Sequence, residues 1–107
     1  MATTPKSEIL HLNDMAAYQD GSVVSRQITK ADAGNVTLFA FDRDQELSEH
    51  TAPFDALVHI LDGSAEINIS GTAFELGTGD AIIMPANEPH ALKAISPFKM
   101  LLTMIRS

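Results

Sequence analysis

After Gly21 the chain alternates apolar and polar residues in short runs, and each run ends at a turn residue. "SVVSRQIT" (22–29) and "NVTLFAFD" (35–42) have the period of two that sends successive side chains to opposite faces of a sheet. In the second run Val36, Leu38 and Ala40 share one face, and Thr37, Phe39 and Phe41 share the other. "DALVHIL" and "AEINIS" flank Asp62-Gly63-Ser64, a hairpin signal. Ser70-Gly71 marks the next turn, "AFEL" follows, and Gly77-Thr78-Gly79-Asp80 leads into "AIIMP", "HALKAI" and "FKMLLTMI". The last run is continuously apolar and fits a helix by periodicity alone. Its place after eight predicted strands makes it a final strand, buried on both faces. Upstream, "EILHL" predicts a short strand and "NDMAAYQDG" one helical turn capped by Asn13 and stopped by Gly21. Residues 1–7 predict a frayed start, and "RDQELSE" (43–49) a solvated loop. About nine or ten short strands at spacings of roughly 8–12 residues predict an all-β antiparallel sandwich or barrel.

With 107 residues, one domain over 1–107 is expected. The net charge of −7 argues against nucleic acid or an anionic membrane surface as partner, since both select basic patches. The chain has no cysteine, which excludes disulfides, thiolate metal sites and a cysteine nucleophile. "MATTPKSEIL" lacks the basic start and long apolar core of a signal peptide, and no apolar run approaches a membrane span, so a soluble cytoplasmic protein is expected.

The candidate chemistry lies in two segments. "GDAIIMPANEPHAL" (79–92) turns at Gly79-Asp80, runs as a strand, and stops at Pro85, which cannot donate to a sheet ladder. Asn87 then supplies a turn residue that tolerates positive φ, and the turn delivers His90. By alternation His90, Leu92 and Ala94 share the interior face. "HTAPFDALVHILDG" (50–63) opens with His50 and ends at Gly63. His90 could be a metal ligand, an acid–base group, or a polar residue at a strand start.

Together these segments resemble the two motifs of the cupin superfamily, specifically its small single-domain members, over about 38–104. The resemblance implies a double-stranded β-helix barrel of two antiparallel sheets. It also implies a homodimer, formed through the outer face of one sheet or the N-terminal strand. In metal-binding cupins the first motif supplies two histidines and a carboxylate, and the second supplies a third histidine. Matched residue by residue, the first histidine is His50 and the third is His90. The second histidine position holds Ala52, and the carboxylate position holds Ala56. The implied metal site is His50 and His90, with one divalent transition metal (Zn, Ni, Mn, Fe or Cu). The alternative is a pocket with no metal and two neutral, hydrogen-bonded histidines. His59 and Asp55 are weaker candidates, because strand parity turns both outward. His11 is expected away from the pocket.

The two alanines enlarge the cavity and make it apolar. With Phe54, Val58, Met84 and Leu92 they predict a pocket for a small molecule. The first expectation is therefore a binding barrel that need not be catalytic. The second is a metal-dependent enzyme of oxygenase or isomerase type, with water and substrate completing the shell. A structural dimerisation module is the third. Met84, Met100 and Met104 could form a soft metal box, but they are expected to pack the core, because methionine commonly fills gaps among aliphatic side chains.

Overall fold

The computed structural model describes residues 4–106. Nine strands run along them: β1 (Val23–Ala31), β2 (Gly34–Phe41), β3 (Glu46–His50), β4 (Phe54–Asp62), β5 (Ser64–Ile69), β6 (Thr72–Gly77), β7 (Ala81–Met84), β8 (His90–Ala94) and β9 (Phe98–Arg106). They form two antiparallel sheets, ordered β1-β2-β9-β4-β7 and β3-β8-β5-β6. The final apolar run is the central strand β9, paired with both β2 and β4. Its inward face is buried at Phe98 and Met100, but its outer face is only half-buried at Leu101 and exposed at Ile105, so the expected burial on both faces holds for one of them. Among the described residues no helix is long and apolar enough to cross a membrane.

Two segments depart from the pattern. "EILHL" forms no strand; it leads into a single 3₁₀ turn at Leu12–Asp14, with His11 rather than Asn13 at its N-cap and no side-chain cap bond. "RDQELSE" is only half a loop, because Glu46–Glu49 belongs to β3. β3 is an edge strand with Leu47 as its one inward apolar residue, so its hydrophobic alternation is too thin to see.

The main core lies between the sheets. Phe41, Val58, Ile60, Ala65, Ile67, Ala94, Phe98 and Met100 are fully buried there. Phe41 and Phe98 are direct cross-strand partners, and their rings stack at 4.4 Å between centroids with planes 14° apart. A second, smaller core covers the outside of the larger sheet. Leu38 and Ala40, on the face of β2 opposite Phe39 and Phe41, are buried under Met15, Ala16 and Tyr18. The Tyr18 hydroxyl donates to the Asp62 carboxylate, and the Lys99 ammonium donates to the Asn13 carbonyl. Burial first, then the Asp62 carboxylate, pushes the Tyr18 phenol above its usual range, so it stays a donor at neutral pH. The segment after the 3₁₀ turn, Asn13 to Tyr18, thus serves as a strap. The rest of this outer face exposes Leu57, Ile83 and Ile105.

Gly63 turns β4 into β5 with φ at +81°, and a Cβ there would meet the Pro97 carbonyl oxygen at 2.0 Å. Only glycine lets this hairpin sit against the start of β9.

Candidate metal centre

The ends of β3 and β7, the starts of β4 and β8, and the last residues of β9 converge at one end of the barrel. His50 closes β3 and His90 opens β8, and the two are register partners. The turn before His90 is built as its sequence implies. Asn87 has φ at +65°, and its N–H donates to the Ala52 carbonyl at 2.8 Å. The Ala86 N–H donates to the Asp55 carboxylate at 2.9 Å. Asp55 therefore pins the turn from outside and supplies no ligand. His90 is 4% exposed, whereas His50 is exposed.

Hydrogen bonding fixes the tautomer of both rings. His50 Nδ1 lies 2.7 Å from the Ser48 carbonyl oxygen, and His90 Nδ1 lies 3.2 Å from that of Glu88. A carbonyl oxygen only accepts, so each Nδ1 carries a proton and donates it. The two Nε2 atoms then turn their lone pairs toward each other at 3.1 Å, with ring planes 72° apart. Two facing lone pairs repel unless something electropositive lies between them, which is either one shared proton or a cation.

A metal ion fits this geometry. Two imidazole nitrogens bound at about 2.0–2.1 Å, with an angle between roughly 90° and 110°, lie about 2.9–3.4 Å apart. Burial, and next the charge His50 would carry, hold His90 below its ordinary value of 6.5; the Glu88 carbonyl partly offsets this. His90 is therefore neutral and able to ligate at neutral pH.

The same shift sets a stability trend. A folded-state value below the unfolded one means that the unfolded chain takes up the proton first as pH falls. The metal-free protein is expected to lose stability as pH drops through about 6.5 toward the lower folded value. Thermal unfolding between pH 8 and 5 checks this, and His90→Gln is expected to flatten that part of the profile.

Behind the pair lies a cavity of about 50 Å³, lined by Ala52, Ala56, Met84 and Leu92 together with Leu47, Met100, Leu102 and Met104. Phe54 and Val58, expected to line it, do not. Phe54 sits under the Arg106 guanidinium at the strand end, and Val58 lies deeper, fully packed in the core. The missed lining residues come from β3, whose strand character the sequence hid, and from β9, whose inward positions follow only from its register with β4. His59 faces away on the outer side of β4, opposite Ala81 and Leu101, and His11 is exposed. Among the described residues no group of three His, Cys, Asp or Glu side chains could share a metal.

Comparison with known proteins agrees with this architecture. The Cupin domain family model matches residues 37–105. A conserved protein of unknown function from Streptococcus pyogenes is similar at 33% identity and TM-score 0.91, covering 100% of this chain and 96% of that one. A cupin superfamily protein from Desulfitobacterium hafniense superposes with TM-score 0.90 at 26% identity, covering 99% and 97% of the two chains. A Cupin 2 conserved barrel domain protein from Leptotrichia buccalis is 34% identical with TM-score 0.88, over 91% of this chain and 47% of that one. No curated protein gives a significant match. With the family model spanning most of the two-sheet barrel and both histidine motifs, the chain belongs to the cupin superfamily.

Proposed function

We propose that this protein is a metal-binding cupin in which His50 and His90 hold one transition-metal ion at the mouth of the barrel. The observation that carries this reading is the 3.1 Å approach of two Nε2 atoms whose Nδ1 atoms are both committed to carbonyls. When bound, such an ion supplies Lewis-acid chemistry or activation of a small ligand. The chain's own residues orient the two imidazoles, keep His90 neutral, and present an apolar wall behind them. The imidazole pair leaves further positions on the ion open, and the exposed His50 side gives water or a substrate access to them.

The cavity narrows the small-molecule reading. Pockets for organic ligands occupy about 300–1,000 Å³, and the space here is about 50 Å³. A few waters or a ligand of very few heavy atoms fit inside; anything larger would sit at the mouth.

The test is elemental analysis of tag-free protein before and after incubation with Mn, Fe, Ni, Cu and Zn. About one bound ion per chain is expected, with affinity falling by roughly 100-fold or more in His50→Ala and in His90→Ala. Protein that stays metal-free throughout, or binds equally well without either histidine, would end the proposal.

A further inference from the structure

The position that carries a carboxylate in metal-binding cupins is Ala56, and its neighbours on both sides are methionines. Ala56 on β4 is the direct register partner of Met84 on β7 and of Met104 on β9. Directly opposed residues in a sheet point to the same face, so the three form one inward row, Met84–Ala56–Met104. The alanine has no side chain beyond Cβ, and all three residues line one small cavity. Both methionines, with Met100 on the same strand, line the cavity that His50 and His90 also line.

The donors on that cavity are therefore two imidazole nitrogens and thioether sulfurs, with no carboxylate among them. Asp55 is engaged with the Ala86 N–H on the other face of β4. The charge balance matters as much as the donor type. A divalent ion among leucines, alanines and methionines would meet a desolvation cost that grows with the square of its charge, and no anionic ligand offsets it. A monovalent ion meets about a quarter of that cost. Thioether and imidazole donors, a low coordination number and a single positive charge together describe Cu(I). Methionine has three rotatable side-chain bonds, so its sulfur can turn toward an ion without moving the strand.

Resting on the reading of His50 and His90 as ligands, we propose that the site is built for Cu(I), with Met84 and Met104 supplying thioether ligands opposite the imidazole pair.

The experiment loads the intact protein with Cu(I) anaerobically against a chromophoric Cu(I) chelator, and titrates Zn(II) and Ni(II) in parallel. Cu(I) is expected to bind at least roughly 100-fold more tightly than either divalent ion. Met84→Leu/Met104→Leu conserves apolar volume and is expected to fold. It should lower Cu(I) affinity by about 10–100-fold while leaving Zn(II) and Ni(II) unchanged. X-ray absorption should show sulfur beside nitrogen around the copper. Selenomethionine-labelled protein, which needs no substitution, should show copper as a neighbour of selenium at the selenium edge. Copper held by nitrogen alone, with unchanged affinity in the double variant, would overturn the thioether assignment and leave the histidine pair standing as a metal site. Tighter binding of Zn(II) or Ni(II) than of Cu(I) would overturn the choice of ion in the same way. Failure of all three ions to bind would overturn both readings together.

Discussion

Ala52→His combined with Ala56→Glu is expected to tighten Zn(II) or Ni(II) binding by at least roughly 100-fold. The reasoning is additive in kind. Four-ligand zinc sites are worth about 10–16 kcal/mol, or about 3 kcal/mol per ligand, which is roughly a factor of 100 each. Position 56 faces inward beside Met84 and Met104, and position 52 already lines the cavity. A carboxylate at 56 also supplies the anionic ligand that would offset the charge of a divalent ion. The metal-free variant should be less stable than the parent, because Ala56 is 2% exposed and a glutamate there brings a charged group into a wall otherwise built of leucine, methionine and alanine. A loss of about 1–3 kcal/mol is expected without metal, recovered on adding Zn(II). Isothermal titration and metal-dependent melting read both effects. Equal divalent affinity in the parent and the double variant would mean that positions 52 and 56 do not look onto the imidazole pair.

Phe98→Ala is expected to cost about 3–5 kcal/mol, against a total stability on the order of 5–15 kcal/mol for a domain of this kind. Phe98 is fully buried and stacks on Phe41, and the pair stands where β2 meets β9. The same strand start is what the Gly63 turn packs against. Truncation removes the aromatic partner of Phe41 and leaves a void that strands tied into two ladders cannot close. Urea melts should place the midpoint far below that of the parent, with Phe98→Leu losing about half as much. A shift in melting temperature within about 3 °C for the alanine variant would show that the stack is dispensable.

Both predictions depend on features that the sequence exposes unequally. The strands from β4 to β9 were legible because turn chemistry punctuates them: Asp62-Gly63-Ser64, Ser70-Gly71 and Gly77–Asp80 fall where the structure turns. His50 and His90 were legible because each stands at a fixed distance from a motif glycine. β3 was hidden because an edge strand with one buried residue looks like a polar loop. "EILHL" predicts a strand that does not form: its alternation has no sheet edge to pair with, Ile9 is left exposed, and the packing onto the outer face is done by Met15, Ala16 and Tyr18 further along. The methionines stand out in the sequence as possible soft donors, but the row that two of them form with Ala56 does not, for a deeper reason. Met84, Ala56 and Met104 become neighbours only through the registers of three strands, and register is a property of the folded sheet.

Each imidazole at the barrel mouth is steered by the carbonyl two residues before it on its own chain segment, Ser48 for His50 and Glu88 for His90. The aim of the pair is thus written into the main chain, and no other side chain has to be kept for it. A lineage holding this backbone is free to exchange the residues around the two histidines, alanine for carboxylate or leucine for methionine, without re-aiming either ring. Diversification in such a barrel can proceed by changing which ion is welcome while the two fixed nitrogens wait in place.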